Sequence, residues 1–229
     1  MDFNSVVISD AFLCLTIAII VFKLFKKFYK ITKDTELRSY LWISVLFFIF
    51  SALGASAGSV YHAFEEDVSD KVRFLLWCPV KYFLALTTYF TARIVIDALF
   101  QGKTRHVLSQ LALIKTAFYI GLVTTVSSFL TTAVDFGFTT LFAIIVCLTF
   151  AIKYSLVYAC WFTFGWVIGL LGVILQVLHV TVDPTYFNNN DLFHLCAAIS
   201  SVFVYVGISA FFQIRDKMDF LIINENDSV

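Results

Sequence analysis

Long apolar runs dominate this chain and limit what it can fold into. A helix needs about 20 mostly apolar residues to cross a hydrocarbon layer. Seven stretches of the 229-residue chain approach or exceed that length: residues 6–25, 40–62, 74–99, 107–130, 136–152, 156–179 and 192–212. The fifth and sixth come from one run, residues 136–180, which is too long for a single helix. Lys153 and Tyr154 interrupt that run and set the split. Only 14% of the residues are charged, against about 25% in a soluble domain. Lipid offers backbone groups no hydrogen bonds, so spanning segments close their own as helices. The expected fold is all-α: a seven-helix transmembrane bundle over residues 1–215, with a short polar tail over 216–229. Basic residues follow the first stretch rather than precede it, so it reads as a retained span and not a cleaved signal peptide.

The charges between the spans alternate. Lys23, Lys26, Lys27, Lys30, Lys33 and Arg38 follow span one. Lys103 and Arg105 follow span three, Lys153 marks the turn after span five, and Arg215 and Lys217 follow span seven. The opposite set of loops carries Lys71 and Arg73 against Glu65, Glu66, Asp67, Asp70, Asp135 and Asp183. Basic loops stay on the cytoplasmic side, so the N-terminus is expected outside or in a lumen and the C-terminus in the cytoplasm. The formal net charge is zero, which gives no electrostatic footprint for nucleic acid. The expected partners are membrane lipids and a lipid substrate or ligand. The five cysteines lie in apolar segments without a Cys-x-x-Cys pairing; they read as small buried hydrophobes.

That topology gathers ionisable residues in one outer layer. His62 ends span two, His179 ends span six, and Asp191 and His194 open span seven one turn apart. Imidazole and carboxylate are zinc ligands, and a zinc site needs three or four of them converging. His62, His179, His194 and Asp191 are therefore the candidate metal ligands. Each histidine alone also suits a headgroup region, and Asp191 alone also suits a helix N-terminus, where Asn190 would cap the helix. Ser59 precedes His62 by one turn, where a hydroxyl would hydrogen-bond a bound water or an oxyanion. Gly54 and Gly58 form a G-x-x-x-G face that admits a close neighbour.

Charged groups inside spans need partners. Asp10 and Lys81 fall at similar depth. Two readings stay open for Asp10: a pair with Lys81, or a carboxylate that orients a histidine. Arg93 and Asp97 read as an i, i+4 pair in the opposite headgroup layer. The chain shows no phosphate-binding glycine loop, no dinucleotide fingerprint, no Ser-His-Asp elbow and no HExxH. Nor does it show an internal repeat of the transporter kind.

Seven spans, an outer N-terminus, the Ser59–His62 pair ending span two and the Asp191–His194 pair opening span seven together resemble the CREST superfamily. That group includes the alkaline ceramidases and the progestin and adiponectin receptors. Residues 54–64 and 190–194 are also similar to an uncharacterised group of small seven-helix proteins distantly related to it. The resemblance implies a zinc held by His62 and His194, Ser59 as supporting hydroxyl, and hydrolysis of a lipid amide or ester. Asp191 or Asp10 would then act as base or orienter. Two features depart from the pattern. Ala198 stands where span seven would carry a second histidine, and Gly58 stands where the serine would be. Two functions are therefore expected as alternatives: a zinc-dependent membrane hydrolase, or a non-catalytic receptor or interaction subunit on the same scaffold.

Overall fold

The computed structural model describes residues 5–28, 35–125, 129–183 and 187–226. Lys30, Lys33, Pro184, Thr185, Tyr186 and the end of the tail lie outside the described residues. The described residues form seven helices: α1 (Ser5–Phe28), α2 (Thr35–Phe64), α3 (Asp70–Leu99), α4 (Gly102–Val123), α5 (Phe129–Tyr154), α6 (Val157–Val177) and α7 (Asn189–Asn226). Each is long and apolar enough to cross a membrane, which fits a multi-pass membrane protein. The expected break in the long apolar run is present. Ser155 takes a left-handed backbone (φ 53°) between α5 and α6, beside the Lys153 that marks it.

Six helices close a ring in the order α1, α2, α3, α5, α6, α7 and back to α1, while α4 stands outside it against α3. The outward faces are oily. Phe22, Phe118, Phe138 and Ile152 are each two-thirds exposed or more, as suits side chains that face hydrocarbon. The tightest seam joins α6 to α7. A Cβ placed on Gly172 would lie 2.7 Å from the Cβ of Cys196, and the Ser200 hydroxyl donates to the Gly165 carbonyl at 2.7 Å. Small residues let the two backbones meet, which drives helix association where no hydrophobic effect operates. The Gly172→Ala variant is expected to lose about 1–3 kcal/mol by overpacking, read as a lower melting temperature in detergent.

Buried charges staple the ring, and here the structure corrects the sequence reading. Asp135 belongs to no loop. The end of span four, from Phe129 on, is part of α5, which carries Asp135 two turns inside the helix. There its carboxylate accepts from Lys115 Nζ on α4 at 2.8 Å and from Thr88 on α3 at 2.8 Å. Lys115 also donates to Thr139 at 2.8 Å. This junction fixes the outlying α4. Lys81 does not turn to Asp10 either: it is fully buried and donates to the Val123 carbonyl at 2.8 Å. An ammonium there satisfies an orphan carbonyl and opposes the negative end of the α4 dipole. Arg93 and Asp97 pair as expected at 2.9 Å, and Arg105 joins them at 2.8 Å from the other Asp97 oxygen. The last helix runs on to Asn226, through most of the stretch read from sequence as a polar tail. Lys115→Met should cost about 3 kcal/mol, because it leaves Asp135 buried and unpaired. A K115M/D135L double variant should recover most of that loss in a thermal melt.

Candidate functional site

The site is assembled where α1 meets the start of α7. Asn188 caps α7: its side-chain oxygen accepts from the backbone N–H of Asn190 at 2.9 Å and of Asp191 at 3.3 Å. Asp191 reaches back to accept from the Asn188 N–H at 2.9 Å. This reciprocal pattern is a capping box with an aspartate in the return position. The cap is Asn188, not Asn190, whose side chain accepts instead from Gln176 at 2.7 Å.

Two serines on α1 complete the arrangement. Ser5 donates to Asp191 Oδ2 at 2.8 Å, and Ser9 donates to Asp191 Oδ1 at 2.7 Å. The Ser9 oxygen also lies 2.9 Å from Nδ1 of His194. A hydroxyl has one proton to give. If Ser9 gives it to Asp191, His194 carries its proton on Nδ1 and donates to Ser9. The other ring nitrogen then faces inward, 3.2 Å from Asp10 Oδ1.

Asp10 is the unusual member. It is fully buried, and neither carboxyl oxygen has a hydrogen bond. The approach of His194 is close enough for an ion pair but lies off the hydrogen-bond line. On the other side the carboxyl rests against Gly58, whose absent Cβ would stand 3.7 Å from Oδ2. A buried polar group normally finds a partner, so this carboxyl is open to something the chain does not supply.

It faces a cavity of about 120 Å³ at the centre of the ring. Asp10, His62 and His194 form its polar end, and the walls are mostly apolar, among them Leu13, Phe47, Val80 and Leu84. The indole N–H of Trp166, another lining residue, is buried without a partner. A second, wider cavity of about 570 Å³ lies beyond His62 and is lined by polar residues including Glu65, Arg73, His179 and Asn190. His62, Trp77 and Gln176 line both. They form the partition between a polar vestibule and an apolar chamber. His62 Nδ1 is held by Glu65 at 2.9 Å.

The structure brings together Asp10, His62 and His194 of the expected residues, ties Asp191 to His194 through Ser9, and leaves His179 and Ser59 apart. His179 sits outside α6 in a left-handed conformation (φ 52°) and lines the vestibule only. Asp191 is consumed by Ser5, Ser9 and the α7 cap. Gly58 lines the chamber, whereas its neighbour Ser59 does not. Among the described residues no group of three or more His, Cys, Asp or Glu side chains is placed to hold a metal ion. Of the four expected ligands, His62 and His194 line the chamber, His179 lines the vestibule, and the Asp191 oxygens accept from Ser5, Ser9 and the Asn188 N–H. For Asp10 the histidine-orienting reading is the one the contacts favour.

Residues 5–212 match a family of unknown function, DUF6962. The chain belongs to this family. No curated protein and no solved structure matches it. Family membership thus carries a shared fold and leaves the chemistry to the site itself.

Ser5 and Ser9 are the site residues that sequence reasoning missed. The signal was weak: two serines four apart, on one face in the first turns of an otherwise apolar helix, next to the charged Asp10. Ser9→Ala leaves Asp191 and His194 each short of a buried partner. The expected cost is about 1–3 kcal/mol, and an unchanged melting temperature would show that the α1–α7 contact bears little of the stability.

Proposed function

We propose that this DUF6962 protein is a seven-helix integral membrane protein that binds a lipid or lipid-like molecule in the central chamber. The polar group of the ligand sits against Asp10, His62 and His194, and its apolar part lies along the chamber walls. The observation that carries this reading is the Asp10 carboxyl, buried without a hydrogen bond at the end of an apolar cavity. Ligand sites combine apolar walls with a few convergent polar groups in this way. The N-terminus and the vestibule lie on the outer or lumenal side and the C-terminus in the cytoplasm, as the loop charges suggest.

On this reading the protein is a receptor or interaction subunit on a ceramidase-like scaffold. A donor such as a lipid hydroxyl or amide N–H satisfies Asp10 and the inward ring nitrogen of His194. The departures from the CREST pattern, Gly58 and Ala198, support it, and so does the diversion of Asp191 into the α7 cap.

Hydrolysis of a lipid amide or ester is the second reading. The feature that favours it is the inward-facing ring nitrogen of His194 beside Asp10, with its other nitrogen oriented through Ser9 to Asp191. Such a relay fixes a tautomer and leaves the inward nitrogen able to accept a proton. The chain itself supplies orientation and proton exchange there.

Protein purified in mild detergent without chelator separates the two. The expected result is a co-purified lipid seen by native mass spectrometry, no stoichiometric zinc, and about tenfold weaker lipid retention in Asp10→Asn and His194→Ala. Stoichiometric zinc lost in both His62→Ala and His194→Ala, together with release of fatty acid from a ceramide, would overturn binding without turnover and install the hydrolase.

A further inference from the structure

A third cavity, of about 320 Å³, lies at the opposite end of the bundle from the vestibule. It is on the face that carries most of the lysines and arginines in the connecting loops. Arg105 and Arg215 line it, with Glu36 and Asp97 as the acids. The acids are already engaged. Asp97 holds Arg93 and Arg105 through separate oxygens, at 2.9 and 2.8 Å. Glu36 takes Arg105 Nη1 at 3.1 Å and stands 3.9 Å from Arg215. Arg93 lies behind the lining, so three guanidinium groups on two carboxylates give the cluster as a whole, not the lining alone, one positive charge in excess. Arg215 Nε is buried with no hydrogen-bond partner.

The backbone adds to that excess. The first residues of α2 (Glu36, Leu37) and the residues preceding α4 and α6 (Gln101, Leu156) all line the cavity. Neither Gln101 nor Leu156 makes a side-chain cap hydrogen bond. Helix N-termini present free N–H groups and the positive end of a dipole. An independent observation says that a ligand belongs there. Tyr40 is 2% exposed, lines the cavity, and its hydroxyl is buried without a partner.

We propose that this cavity binds a phosphate-bearing anion. The guanidinium fork of Arg215, the Tyr40 hydroxyl and the uncapped helix starts are donors suited to the several acceptor oxygens of a phosphate. Phe100, Phe150 and Phe211 form an apolar wall beside them. That wall suits the glycerol and upper acyl chain of an anionic phospholipid, the source found for basic pockets between membrane helices. A free phosphate compound would use the same donors, and the experiment distinguishes the two.

Delipidated full-length protein in dodecyl maltoside is titrated with phosphatidic acid, with diacylglycerol of the same chains, and with inorganic phosphate, and adducts are followed by native mass spectrometry. Phosphatidic acid is expected to bind about tenfold better than diacylglycerol. Arg215→Gln and Tyr40→Phe, each checked for a wild-type melting temperature, should each weaken it severalfold. Tyr40→Phe keeps the ring that packs on Phe211 and Phe212, so it removes the hydroxyl alone. Displacement by inorganic phosphate would assign the site to soluble phosphate compounds; resistance to it would assign the site to a lipid. Equal binding of phosphatidic acid and diacylglycerol, with no phosphate adduct, would overturn the proposal. So would wild-type affinity in both folded variants.

Discussion

A polar group inside a membrane-spanning bundle has to find its partner within the bundle, and nearly every feature of this fold answers to that constraint. Water is not there to supply the missing hydrogen bond, so an unpaired group is costly. The consequence is visible helix by helix. Asp135 draws α3, α4 and α5 together through Thr88 and Lys115. Asp97 does the same for neighbouring arginines at the other end. Lys81 closes the end of α4. Asp191 joins the start of α7 to α1 through two serines.

Against that background the exceptions carry the functional information. Asp10 is buried and its oxygens are left without hydrogen bonds. Tyr40 at the opposite end is buried with a free hydroxyl. Both line cavities, and a ring of six helices explains why the cavities exist. Pairs of helices pack at about 8–10 Å, but a closed ring of six leaves central space that side chains must fill. Phe47 and Trp166 fill part of it, and the region beside Gly58 stays open. The vestibule and the chamber then meet at His62, Trp77 and Gln176, so a polar approach and an apolar chamber share one partition.

Much of the architecture was legible in the sequence. The seven spans could be read from hydropathy because a membrane imposes a length, and the Lys153 break could be read because a charge in a long apolar run is costly unless a turn exposes it. The shared layer of His62 and His194 could be read because both sit at helix ends on one side. Asp135 was misplaced for a physical reason. An acid before an apolar run looks the same whether it meets water or a lysine from another helix, and Lys115 lies twenty residues away. Ser5 and Ser9 carried only a weak pattern, since a serine near the start of an apolar helix is unremarkable until its partner is known.

The sequence by itself determined the all-helical class, the number of spans and the layer in which the histidines fall, because hydropathy and charge act locally and are read along the chain. It did not determine which of those groups would meet. His179 and His194 lie at comparable depth, yet one turns into the vestibule and the other into the chamber. Asp191 could have been a ligand, and the α7 cap and two serines claimed it. Those outcomes depend on the order of helices around the ring and on their rotation. Packing across the whole bundle sets both, as at the glycine-lined α6–α7 seam, and it joins residues as far apart in sequence as Ser5 and Asp191.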